Sequence, residues 1–139
     1  MHAHLKEDTF LSKLIKLAQK NRDISVMWIY GSQVDQSGTD TSDYDIGIAF
    51  HDFMKDPLTR RLRPEKLALG WTQSLNCNED KISIVDINVI PTTLAWEIVT
   101  QGIAIYIRDK DRLVREELRI FRQFELDVSY HRRIYGEKN

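Results

Sequence analysis

Two adjoining stretches decide how this sequence folds: ISVMWIYGS, residues 24–32, and TSDYDIGIAF, residues 41–50. The first is a run of apolar and β-favouring residues that breaks at Gly31. That pattern predicts a strand over Ile24–Tyr30, buried on both faces, with a sharp turn after it. The second alternates. Asp43, Asp45, Gly47 and Ala49 fall on one face of a strand over Asp43–Phe50, and Tyr44, Ile46, Ile48 and Phe50 fall on the other. The apolar face is core. The opposite face is small and acidic, which packing alone does not require. Residues 33–42 between the strands are polar and rich in turn formers, and a short helical turn is expected directly after Gly31.

The rest of the chain is read outward from this pair. Upstream, Leu11, Leu14, Ile15 and Ala18 recur at helical spacing, giving a helix over about Asp8–Lys20 capped by Asp8 or Thr9. Downstream, His51–Arg63 reads as loose chain, and Pro64 is expected to open a helix ending near Leu75. A third strand is predicted over Lys81–Ile90, closed by Pro91. A helix over Thr92–Gln101 stops at Gly102, and a fourth strand covers Ile103–Ile107. A long helix follows from about Asp109 to Tyr135, striped by Val114, Leu118, Phe121 and Val128 and stopped by Gly136. The alternation gives an α/β (α+β) fold with a mixed sheet of about four strands flanked by helices. With no linker or internal repeat, 1–139 reads as a single domain, with a core over about 8–107 and the C-terminal helix over about 109–135.

Composition narrows the function classes. The chain has 139 residues, of which 42% are hydrophobic and 29% charged, enough for a packed core and a solvated surface. A net charge of -1 argues against strong direct nucleic-acid binding. The lone Cys77 points to a reducing, cytoplasmic setting, and no apolar run reaches membrane-spanning length. His2 and His4 are read as part of a frayed terminus.

Asp43 and Asp45, two residues apart on a strand, crowd each other, and Mg2+ is the natural partner for such a pair. Asp86 interrupts the apolar run SIVDINVI and is expected to join them as a third metal ligand if its strand lies alongside. Gly31 lets the backbone approach a ligand closely. The turn behind it aims N–H groups at phosphate, with the Ser32 hydroxyl adding a donor. Gly47 has two readings, as room for a nucleotide or as a packing accommodation.

The segment GSQVDQSGTDTSDYD, residues 31–45, resembles the signature of the DNA-polymerase-beta-like nucleotidyltransferase superfamily: Gly-Ser, about ten residues, Asp-x-Asp, and a third acid on a later strand. Size and layout look closest to its minimal nucleotidyltransferase (MNT) antitoxins, paired with HEPN-type toxins. The resemblance implies a nucleotidyltransferase fold and an enzyme that transfers AMP from Mg-ATP to a tyrosine hydroxyl of a partner toxin, releasing pyrophosphate. It implies catalytic and metal-binding roles for Asp43, Asp45 and Asp86, with two Mg2+ ions during turnover, and triphosphate binding by Gly31 and Ser32. The partner is a HEPN-type toxin in a hetero-oligomer, with a homo-oligomer the alternative. The C-terminal helix, carrying Arg108, Lys110, Arg112, Arg115, Arg119 and Arg122, offers a docking face, and Trp71, Trp96, Tyr130 and Tyr135 stand between core and interface. The sequence departs from the pattern at Asp35 and Gln36, where many members carry Arg-Gly. Arg60, Arg61 and Arg63 are candidates to compensate. Two other readings stay open: a non-catalytic binding antitoxin, and a transferase acting on a small molecule such as an aminoglycoside.

Overall fold

The computed structural model describes residues 9–34 and 43–134. Asp35, Gln36, the two terminal histidines, Asp8, Tyr135 and Gly136 lie outside the described residues. The elements in chain order are α1 (Thr9–Gln19), β1 (Ile24–Tyr30), a 3-10 turn (Gly31–Gln33) and β2 (Tyr44–Phe50). After them come α2 (Pro57–Leu75), β3 (Ile82–Asp86), α3 (Thr92–Gln101), β4 (Ile103–Ile107) and α4 (Lys110–Ile134), with a further 3-10 turn (Glu79–Lys81) ahead of β3. The four strands form one mixed sheet in the order β3-β2-β1-β4. β1 is antiparallel to β2 and β4, and β2 is parallel to β3.

Every residue of β1 is buried, as its unbroken apolar run requires. On one face of the sheet Met27 and Ile29 join Tyr44, Ile46, Ile48 and Phe50 beneath Leu11, Leu14 and Trp71 of α1 and α2. On the other face Val26, Trp28 and Tyr30 pack with Ala49 beneath Ala95, Ile98 and Ile120 of α3 and α4. Each fully buried Ile or Leu contributes about 1.5–3 kcal/mol of transfer free energy. Helices therefore cover both faces, and the small face of β2 has a packing reason. A Cβ on Gly47 would lie 3.3 Å from two carbons of Ile98, so Gly47 admits α3 rather than a ligand. Gly102 is more tightly constrained. Its N–H caps α3 on the Ile98 carbonyl at 2.9 Å, and a Cβ there would fall 2.4 Å from that same oxygen.

Three elements differ from the sequence reading. α2 begins at Pro57, not Pro64, because Asp56 accepts from the Thr59 N–H at 2.8 Å and its hydroxyl at 2.7 Å. Pro57 fills the first turn, and Pro64 lies inside the helix. Asn76, in the left-handed region at φ 54°, ends it. β3 stops at Asp86 rather than Ile90, because Asp86 turns the chain: its side chain accepts from the Asn88 N–H at 2.9 Å and its carbonyl from Val89 at 3.0 Å. The third difference is in α4, where Val114, Leu118, Phe121 and Val128 are each more than a third exposed, with Phe121 also set edge-on against Trp96 of α3. The inward residues are Glu116 and Ile120, with Leu113 packed against the same cluster.

Glu116 is the charged clamp of α4. It accepts from Arg112 at 2.8 Å, Arg119 at 2.7 Å and Asn88 at 3.0 Å. Arg112 continues to the Phe50 carbonyl at 2.8 Å, so the helix is tied to the end of β2. These donors hold the Glu116 carboxyl below its usual range although burial opposes them. Glu116→Gln is expected to destabilise the fold by about 3 kcal/mol at neutral pH, the lower end for a broken buried pair because Arg119 is partly exposed. A depressed carboxyl stabilises above its ordinary pKa and loses that contribution as pH falls through the folded value. Urea unfolding should therefore show the variant and wild type converging in acid.

Candidate active site

The acidic pair lies at one end of the sheet, where β1 ends and β2 begins. Tyr30 is paired with Asp45 across the β1–β2 ladder, so the turn after β1 sits directly over the Asp45 side chain. Gly31 takes φ +76°, and a Cβ there would lie 2.7 Å from Asp45 Oδ2. Both facts demand glycine: the backbone is left-handed, and a carboxylate oxygen occupies the place of a side chain. The 3-10 turn over Gly31–Gln33 is the helical turn expected after the glycine. It is closed by the Val34 N–H on the Gly31 carbonyl at 3.0 Å and tied to the start of β2 by Gln33 Nε2 donating to the Asp43 carbonyl at 3.4 Å. Gly31, Ser32, Asp43 and Asp45 thus come together in one small region.

Electrostatics there are strained. Burial, then Asp43, then Glu97 push the Asp45 carboxyl above its ordinary value. Burial, then Asp45, then Glu97 push the Tyr30 hydroxyl up to about 12. Repulsion between carboxylates in a half-buried place is the condition that a hard divalent cation relieves. Two neighbouring carboxylates are a donor set that fits such an ion.

Asp86 does not belong to this group. β3 runs parallel to β2 with Asp86 beside Ile48 and Ser83 beside Asp45. Asp86 therefore shares the face of Ile48, opposite to the acidic pair, and lies about 10 Å further along the sheet at about 3.3 Å per residue. It is 4% exposed. Burial raises its carboxyl, opposed by the Asn88 N–H, Arg63 and Arg112 and reinforced by Glu116. Among the described residues no group of three His, Cys, Asp or Glu side chains forms a metal cluster. The expected triad is corrected to a pair: period-two alternation placed Asp86 on a strand but carried no information on which face or end that strand would present. Arg60 and Arg63 do not compensate at this site either, since they line a cavity at the far end of β2 with Phe50. The carboxylate missed by the sequence reading is Glu97, an exposed residue of α3 whose charge reaches both Asp45 and Tyr30. It lies on a helix that only the fold carries over the acidic face, and no local pattern announces it.

The sequence model of the polymerase beta nucleotidyltransferase family matches residues 12–111, well over half the chain. The chain belongs to that family. It is therefore a nucleotidyltransferase domain, and the Gly31–Asp45 apposition lies inside the matched region. No curated protein sequence matches it. Among solved structures, it is similar to a chain of a toxin–antitoxin complex crystallised with AMP-PNP, with a TM-score of 0.69 and 20% identity over 91% of this chain and 95% of that one. It is also similar to a chain of the complex between a tri-AMPylated Shewanella oneidensis HEPN toxin and its MNT antitoxin, with a TM-score of 0.63 and 17% identity over 91% of this chain and 92% of that one. At these identities the likeness establishes the fold.

Because its folded-state pKa lies above the unfolded one, Asp45 weakens folding once both states have ionised it. Asp45→Asn is expected to raise the urea midpoint of the metal-free protein at pH 7. The gain should disappear well below the ordinary aspartate pKa, where wild-type Asp45 is neutral in both states.

Proposed function

We propose that this chain is an MNT-type antitoxin that transfers AMP from Mg-ATP to a tyrosine hydroxyl of a HEPN-type toxin. The observation that carries the reading is the closeness of Gly31 to Asp45, with Asp43 next along. A glycine turn and a crowded acid pair at one sheet end suit a triphosphate and its cation. The solved complexes containing AMP-PNP and an AMPylated toxin support the choice of an adenine nucleotide and of a toxin as acceptor.

In this reading Asp43 and Asp45 would hold Mg2+, which would supply neutralisation of phosphate charge. The Gly31 turn and the Ser32 hydroxyl orient the triphosphate. The acceptor oxygen forms a bond to the α-phosphorus, the bond to pyrophosphate breaks, and the acceptor's proton leaves to a base. The outward stripe of α4, Val114, Leu118, Phe121 and Val128, is an apolar face for the partner. It also serves a binding antitoxin that neutralises by contact alone, and one experiment separates the two.

Intact mass spectrometry of the co-expressed partner should show steps of about 329 Da, one AMP each after loss of pyrophosphate. Asp43→Asn is expected to abolish them. Asp86→Asn should leave the rate within about threefold of wild type, since it lies on the opposite face of the sheet, three residues along from the strand position beside Asp45. Neutralisation of the partner without any mass step, by wild type and by Asp43→Asn alike, would refute the enzymatic reading in favour of contact.

A further inference from the structure

A second polar site lies at the opposite end of the sheet, where β2 and β3 finish. A cavity of about 470 Å³ opens there between α2 and α4. Along β2 its lining residue Phe50 lies five residues from Asp45, about 16 Å at 3.3 Å per residue. Five arginines line it: Arg60 and Arg63 from α2, and Arg112, Arg115 and Arg119 from α4. The carboxylates in its wall are Asp52, Asp86 and Glu116, so the lining keeps two positive charges in excess.

The arginines fall into two sets. Arg112 and Arg119 are committed to the fold through Glu116, Asn88 and backbone carbonyls. The other three hold donors in reserve. Arg60 gives one N–H to the Met54 carbonyl at 2.9 Å, and Arg63 gives one to the Asp52 carbonyl at 2.8 Å. Arg63 Nε is buried and, among the described residues, the sole buried side-chain N or O atom without a partner. Arg115 is exposed and makes no hydrogen bond or ion pair with a described residue. The Arg63 guanidinium lies over the Phe50 ring, 4.0 Å from its centroid, and of its terminal nitrogens only Nη2 makes a hydrogen bond. Phe53, 72% exposed on the same wall, lies with its ring 4.8 Å from the Arg60 guanidinium.

We infer that this cavity binds a phosphate-bearing small anion, held by Arg60, Arg63 and Arg115. Guanidinium groups from two helices match the several acceptor oxygens of a phosphate better than those of one carboxylate. The volume suits a small molecule. The exposed Phe53 ring offers a base-stacking surface if the phosphate belongs to a nucleotide. The site shares no residue with the proposed transfer centre and stands whether or not that centre is active.

Calorimetric titration of the full chain with inorganic phosphate and with AMP, in EDTA, tests it. Saturable binding is expected in wild type and, unchanged, in the Asp43→Asn/Asp45→Asn double variant. Arg115→Ala should weaken it about tenfold, the loss of one charge-assisted contact. That variant removes an exposed side chain without partners, and its circular dichroism should match wild type. Binding of AMP tighter than phosphate, and reduced to the phosphate level by Phe53→Ala, identifies a nucleotide source. Equal affinity for the two probes identifies free phosphate. No saturable binding of either probe at millimolar concentration overturns the inference. So does wild-type affinity in an Arg60→Ala/Arg115→Ala variant, or loss of binding in the double aspartate variant.

Discussion

The structure depends on β1 being satisfied on every side. Its backbone is paired to β2 on one edge and β4 on the other, and its side chains are buried above and below. A strand so enclosed leaves no polar face, so whatever chemistry the chain performs must be carried at its ends. The antiparallel pairing with β2 then fixes which end. Tyr30 lies across from Asp45, and the chain leaving β1 has to pass over that carboxylate. Only a glycine in the left-handed region does so without displacing it.

The two ends of the sheet are electrostatic opposites. At the Gly31 end, carboxylates accumulate, and burial and mutual repulsion raise Asp45 and Tyr30 together. At the Phe50 end, arginines gather around Glu116 and hold α4 in place. The first end has destabilising charge, a cost that a folded chain bears where a ligand relieves it. The second combines a satisfied structural network with guanidinium groups that the network does not use.

Asp86 shows how one residue changes meaning between the two levels. In sequence it is a charge inside an apolar strand and asks for a cation. In the fold it is the residue that ends β3: its side chain and carbonyl gather the next N–H groups into a turn, while Arg63 and Arg112 temper its charge. A strand-ending aspartate and a metal-binding one look alike until the neighbouring strand's register is known.

The sequence by itself determined the elements and the acid pair. Apolar runs and period-two alternation are local, so β1, β2, α3 and β4 were legible, as was the need for glycine at position 31 and the shared face of Asp43 and Asp45. The Asp56–Pro57 start of α2 was also written locally, although Pro64 drew the reading past it. Tertiary structure alone decided what lies beside what. The parallel pairing of β3 with β2 put Ser83, not Asp86, next to Asp45. The packing of α3 over the sheet brought Glu97 to the pair and gave Gly47 its reason. α4's apolar stripe turned outward because Glu116, clamped by Arg112, Arg119 and Asn88, took the inward position beside Ile120. Register, sheet order and helix rotation are set by long-range packing and charge pairing, which no local periodicity encodes.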